Sequence, residues 1–306
     1  MQTLVTGITG SIGRSLAPAL LAEGHDVRGF ARDRSRVRVA VDVVVEGDAQ
    51  TGAGLDAALE GVEVAYYLIH SMEGGNPAFD RAERESAERF ARAAGAAGVR
   101  RVVYLGGPVP STPGASVSRH LGSRLAVEQT LLEAVPSSIA FRASMVISAG
   151  SRSFRFLVRL IERLPALALP AWAEHRSMPV DGRDITRYLV AAATASDDLS
   201  GRAWDAIGPE LMTHGHMMER IADLMMVARP RIDLSFSLTP IAAPVAAAVA
   251  GEDVGLIEPL MESLESDLLP RDELAAPAFG VRLHAFDAAV ERALRELEAL
   301  EEVRAR

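Results

Sequence analysis

Residues 4–13 read LVTGITGSIG, and the three glycines at a spacing of three, Gly7, Gly10 and Gly13, narrow what this chain can become more than any other stretch. A short β-branched run, TLVTG, precedes them, and a helical pattern through Ile12, Leu16, Leu20 and Leu21 follows, stopping at Gly24. A strand that passes straight into a helix through glycines brings backbone very close to something. In that setting Gly7 permits the tight turn, Gly10 lets the main chain approach a pyrophosphate, and Gly13 allows helix and strand to pack closely. The unpaired N–H groups at the helix start then face the phosphates. Thr9, Ser11 and Ile12 belong to the same turn and are cofactor contacts by position.

Strand and helix patterns keep alternating beyond this unit. The strand-like DVRGFAR leads to VDVVVEGD, the short helix GLDAALEG, the strand VEVAYYLIH, the helix DRAERESAERFARAAGAAG, the strand RRVVYLGG, the helix SRLAVEQTLLEA and the strand SSIAFRASMVIS. Such alternation predicts an α/β fold, a Rossmann-type doubly wound parallel sheet with helices on both faces. From about residue 151 the rhythm loosens into SFRFLVRLIERLP, a Pro-rich turn LALPAWAEHRSMP, a helix DITRYLVAAATA and a strand RAWDAIG. The remainder reads as helical, ending in FDAAVERALRELEALEEVRAR. The expected organisation is a dinucleotide-binding core over residues 1–150, with 151–306 adding further sheet elements and a small, mostly helical C-terminal substrate lobe to one integrated domain.

Composition removes several functions. The 306 residues, 49% apolar, suffice for a substantial core. There is no cysteine, so disulfides, thiolate zinc sites and thiol catalysis are excluded, and a reducing, cytoplasmic location is expected. The longest apolar stretch, PIAAPVAAAVAG, is too short and alanine-rich to span a bilayer, so no membrane insertion is expected. A net charge of −9, with the cations dispersed among acids, argues against nucleic acid as a partner and leaves a small-molecule substrate. Any bound anion must be met by a local basic site.

One such site follows the second strand, where dinucleotide folds contact the adenine ribose. An acid there takes the 2′-hydroxyl of NAD, whereas an Arg accommodates the 2′-phosphate of NADP. The sequence is FARDRSR: Arg32 comes first, with Arg34 and Arg36 close by, and planar guanidinium groups suit bidentate contact with a phosphate. NADPH is therefore the expected cofactor. Asp33 carries the competing reading, NAD.

TGITGSIG, the GD pair at 47–48, AYYLIHSM, VVYLGG at 102–107 and RDITRYL at 183–189, in that order, resemble the atypical short-chain dehydrogenase/reductase family in its NmrA-like, NAD(P)H-binding branch. The resemblance covers roughly residues 1–236. It implies Asp48 and Ala49 beside the adenine, Leu68, Ile69 and His70 along the cofactor after the fourth strand, and Gly106 at the end of the fifth. Ala143, Ser144 and Met145 would lie near the nicotinamide.

The family's catalytic set is where the chain departs. Members carry a Ser after the fifth strand and a Tyr-x-x-x-Lys pair on the next helix, the Tyr protonating the carbonyl oxygen as hydride arrives while the Lys holds the ribose. Here the strand ends in Gly106 and Gly107, and alignment on Glu128 places His120 at the Tyr position and Arg124 at the Lys position. His can serve as a general acid near neutral pH. Arg stays charged, so Arg124 would orient the ribose or stabilise negative charge, and its charge would disfavour a protonated His120. His120 is thus a proton donor, a substrate or cofactor contact, or a packing residue.

Other candidates are bland. His214 and His216 read as exposed loop residues with no carboxylate at metal spacing, so no metal is expected. His175 and Arg176 line the substrate cleft or form a surface turn. Met217, Met218, Met225 and Met226 suit adaptable core filling. Asp184 and Arg187 read as the cap and anchor of the helix they begin. The helix DRAERESAERFARAAG carries charge around most of its circumference, which predicts a water-facing helix and a monomer, or a dimer built elsewhere with the terminal helix through Val290, Leu294, Leu297 and Leu300 as the contact. Two functions fit: an NADPH-dependent reductase of a carbonyl, quinone or enone, and a redox-sensing or assembly protein that binds dinucleotide without turnover.

Overall fold

The computed structural model describes residues 1–70, 79–108, 118–234 and 239–300. The end of the AYYLIHSM motif, at 71 and 72, and the last six residues of the expected terminal helix lie outside them. Seven strands form one parallel sheet. In chain order they are β1 (Gln2–Thr6), β2 (Asp26–Ala31), β3 (Val43–Glu46), β4 (Val64–Tyr67), β5 (Arg101–Gly106), β6 (Ile139–Arg142) and the edge strand Arg202–Asp205. Their spatial order is β3-β2-β1-β4-β5-β6 and then the edge strand, so the direction of winding reverses between β1 and β4. Ligand crevices in such sheets open at that reversal, beyond the C-terminal ends of the strands.

The helices are α1 (Ser11–Ala22), α2 (Leu55–Leu59), α3 (Phe79–Ala96), α4 (Arg119–Ala134), α5 (Arg152–Arg163), α6 (Gly182–Thr194), α7 (His214–Leu224), α8 (Thr239–Ala250), α9 (Val254–Ser263), α10 (Ala275–Ala278) and α11 (Phe286–Leu300). The central strands β4, β5 and β6 are buried on both faces, and β4 and β5 read as near-continuous apolar runs rather than alternating ones. On one face Leu16 and Leu20 of α1 and Tyr188 of α6 pack on Val5, Tyr66 and Phe141. On the other, Leu59 of α2, Phe90 of α3 and Leu131 of α4 pack on Leu4, Tyr67 and Tyr104. A separate core, built from Phe154, Ile161, Met217, Ile221 and Phe286, holds the lobe together. No described helix is long and apolar enough to cross a membrane.

Five sequence expectations need correction. α3 is not water-facing throughout: Glu83, expected at the surface, is buried together with Ala87, Phe90 and Ala94, at i, i+4, i+7 and i+11. The cap of α6 is Asp181, whose Oδ1 accepts the Arg183 amide at 2.7 Å. Asp184 instead reaches across to accept the His284 amide at 2.8 Å and its Nδ1 at 2.7 Å. His214 opens α7 and is buried, not a loop residue, while Met226 is 88% exposed, in a left-handed conformation that ends the turn after α7. The segment read as a Pro-rich turn carries the short strands Leu167–Leu169 and Arg176–Ser177, paired with strands later in the chain.

Candidate active site

The glycine turn is held from both sides. The Thr6 hydroxyl donates to the Tyr66 carbonyl at 2.8 Å and accepts the Leu68 amide at 3.0 Å, fixing the end of β1 to the end of β4. Gly7 then turns with φ +61°, and a Cβ there would stand 2.4 Å from the Leu68 carbonyl oxygen. A Cβ on Gly13 would stand 2.5 Å from the Gly7 oxygen. Gly10 differs: its backbone is extended, and an added Cβ meets only the Gly7 oxygen, at 3.1 Å. Gly10 is also the N-cap of α1, which has no side-chain cap, so its first amides are available to an anion. Gly150 closes the far side, since its Cβ position lies 2.3 Å from Ser11 Oγ.

A cleft of about 370 Å³ opens here. From the turn it is lined by Gly7, Gly10, Ser11, Ile12 and Gly13, from the ends of β4 and β5 by Leu68, His70 and Gly106, and beyond β6 by Ala143, Ser144 and Met145. His120 and Arg124 of α4 complete this wall. Five expected cofactor residues are not among the lining: Thr9, Arg32, Asp48, Ala49 and Ile69. Ala49 is buried, and Ile69 packs against the core beneath α2 and α3. Asp48 Oδ1 accepts the Gln50 amide at 2.8 Å and shapes its own turn. Arg32 is exposed at the end of β2, and Asp33 beside it accepts from the Ser35 amide at 2.9 Å and the Ser35 hydroxyl at 2.6 Å. Those two bonds hold the Asp33 carboxyl below its ordinary range.

Ser118 caps α4 by accepting the Leu121 amide, and the first turns present His120 and Arg124 to the cleft. Arg124 Nε donates to His120 Nε2 at 3.1 Å. That bond makes Nε2 an acceptor and puts the imidazole proton on Nδ1, which is buried without a partner among the described residues. Burial, with the Arg124 charge second, pushes the His120 pKa down to about 3, so the ring is neutral at physiological pH. His70 is also held well below its usual value by desolvation, then by Arg124 and His120. Beneath the pair, Ser123 Oγ donates to Glu83 at 2.5 Å, and Glu83 lies 3.8 Å from His70 Nδ1. Glu83 was missed in the sequence, although its place on the apolar stripe of α3 marks it. Glu128 receives a bidentate pair from Arg142 at 2.9 and 2.7 Å, and Arg142 also reaches Asp272.

The opposite wall comes from the lobe: Phe156 and Leu157 of α5, Met261 of α9, Leu268, Ser177 and His214. Of these only His214 drew notice in the sequence, because residues from distant elements share no local spacing. His175 and Arg176 do not line the cleft; Arg176 pairs with Asp267 at 2.6 Å and His175 stands 3.6 Å from the same carboxylate. Among the described residues no group of three His, Asp or Glu side chains is placed to hold a metal ion.

A parallel sheet with this winding, a glycine turn running into an uncapped helix, and a cleft between core and lobe define a dinucleotide-binding class of protein. Residues 7–131 match the NAD(P)H-binding family model. The chain is 32% identical over 223 residues to the (4-alkanoyl-5-oxo-2,5-dihydrofuran-3-yl)methyl phosphate reductase of Streptomyces griseus subsp. griseus, covering 69% of each. It is 35% identical over 128 residues to sterol demethylase protein B of Methylococcus capsulatus, of whose length it spans 39%. In fold it is similar to a short-chain dehydrogenase/reductase superfamily protein of Agrobacterium tumefaciens with bound NAD, with a TM-score of 0.70 at 19% identity over 99% of this chain and 100% of the other. The chain belongs to the atypical short-chain dehydrogenase/reductase family, and its first half matches an NAD(P)H-binding domain.

Proposed function

We propose that the protein is an NADPH-dependent oxidoreductase that reduces a carbonyl, quinone or enone of a small organic molecule, with His120 and Arg124 standing where the family has Tyr and Lys. The observation that carries this reading is the single cleft in which the glycine turn, the α4 pair and the apolar lobe wall meet. The open side of Gly10 and the uncapped amides of α1 fit a pyrophosphate. Arg32, at the end of β2, is the residue for a 2′-phosphate, and Ser35 already engages the Asp33 carboxylate that would favour NAD. When bound, the nicotinamide supplies hydride. Arg124 supplies fixed positive charge against the negative charge that grows on the substrate oxygen, and neutral His120 donates a hydrogen bond from Nδ1 to that oxygen. The proton itself then comes from water. We further propose a cytoplasmic monomer, a reading that rests on the lack of cysteine and on the charged outward face of α3.

The test is NADPH oxidation with a panel of quinones and ketones. His120→Ala should lower kcat at least about tenfold with NADPH affinity unchanged, and Arg124→Ala should weaken both. Full turnover by His120→Ala removes it from the chemistry. Arg32→Ala should narrow the preference for NADPH over NADH by roughly 1 to 3 kcal/mol, and equal wild-type affinity for the two cofactors would remove Arg32. One observation favours the second reading, a dinucleotide-binding regulator or assembly protein: His120 cannot act as a charged acid while burial keeps it neutral. NADPH binding with no turnover of any panel member selects that reading.

A further inference from the structure

Two buried polar atoms on the lobe side of the cleft have no hydrogen-bond partner among the described residues, Nε2 of His214 and Oγ of Ser177. His214 is 4% exposed and Ser177 0%, yet both line the cleft. Strand pairing brings them together. Ser177 stands opposite Met212 and Arg176 opposite Thr213, and the His214 amide continues the ladder by donating to the His175 carbonyl at 2.9 Å. Ser177 and His214 are therefore diagonal neighbours on the ribbon, and both line the same cleft. On the other edge the Leu268 amide donates to the Arg176 carbonyl at 2.8 Å, so main-chain groups here are used and the two side chains are left for a ligand.

Chemistry narrows that ligand. Burial, then the nearby His175, push the His214 pKa down to about 4, so it meets a neutral oxygen rather than an anion. The two guanidinium groups of the cleft stand elsewhere, Arg124 beside His120 and Arg152 exposed at the start of α5. Phe156, Leu157, Met261, Leu264 and Leu268 supply apolar walls. We infer that His214 and Ser177 recognise a hydroxyl or carbonyl oxygen, other than the one reduced, on an uncharged and mainly apolar substrate. A serine hydroxyl and a neutral imidazole each donate or accept, so the pair suits either group. The inference rests on the reductase reading for the role of the other oxygen, but binding at this pair is measurable without turnover.

Three probes share one skeleton: 4-phenyl-2-butanone, its para-hydroxyl derivative and its para-carboxylate derivative. Each is titrated calorimetrically into the protein, alone and saturated with NADPH. The hydroxyl compound should bind at least tenfold tighter than the unsubstituted ketone, because a site built to hydrogen-bond an oxygen rejects the analogue lacking it. Ser177→Ala, which removes one small polar atom, and His214→Leu should each erase most of that difference while NADPH affinity stays within twofold of wild type. The carboxylate should bind no better than the unsubstituted ketone. Equal binding of hydroxyl and unsubstituted compounds, an undiminished difference in both variants, or tightest binding by the carboxylate overturns the inference. Failure of NADPH to bind, measured separately, refutes the cofactor reading and leaves the probe comparison intact.

Discussion

Acidification should unfold this protein through the histidines of its cleft. His120 and His214 are both held neutral by burial, with pKa values near about 3 and about 4, against about 6.5 in an unfolded chain. As pH falls below about 6.5 the unfolded state takes up a proton at each site and the folded state does not. The stability they contribute is therefore complete above about 6.5 and is lost as pH falls toward the folded values. Each pH unit in that window costs about 1.4 kcal/mol per group, so between about pH 7.5 and pH 5 each histidine accounts for roughly 2 kcal/mol and the two for roughly 4. His70 adds in the same direction. Urea unfolding at the two pH values, on wild type, His120→Asn, His214→Asn and the double variant, reads the effect directly. Asn cannot titrate, so each substitution should shrink the pH-dependent loss by roughly 2 kcal/mol, whatever it does to stability at neutral pH. Equal losses in wild type and the double variant would refute the reasoning.

Gly10→Val should leave the circular dichroism spectrum near wild type and abolish NADPH binding, since its Cβ meets only the Gly7 oxygen, at a tight 3.1 Å that a small shift of the turn relieves, and the turn is the proposed pyrophosphate contact. Gly13→Ala should destabilise the fold itself, because its Cβ would overlap the Gly7 oxygen at 2.5 Å; a wild-type midpoint for that variant contradicts the packing described. Arg142→Ala should cost roughly 3 to 5 kcal/mol in urea unfolding, because it leaves the Glu128 carboxylate buried and unpaired.

The Rossmann half was legible because its signals are local. Gly7 and Gly13 mark a turn within a few residues of the strand and helix they join, and continuous apolar runs such as VAYY and RVVYLG announce strands covered on both faces. His120 and Arg124 were found because they lie one helical turn apart, at a register the family resemblance supplied. The lobe wall was not legible. Ser177, His214 and Met261 come from three elements whose proximity depends on tertiary packing, and a serine in a short strand looks like any surface serine. Glu83 was hidden for the opposite reason: on a helix rich in acids and arginines, one inward-facing carboxylate is distinguished only by the apolar residues beneath it.

The Arg142 bridge also limits how this chain could have been assembled or could be recombined. Arg142 lies at the end of β6, Glu128 in α4 and Asp272 far along the segment that returns from the lobe. A crossover near residue 150 that grafted a foreign lobe onto this nucleotide-binding half would keep Arg142 and Glu128 but discard Asp272, along with α6 and the edge strand Arg202–Asp205, which complete the sheet. The lobe is therefore not a detachable cartridge. New substrate preferences are more accessible through exchanges within the wall, at positions such as Phe156, Leu157 and Met261, than through wholesale transfer of the C-terminal half.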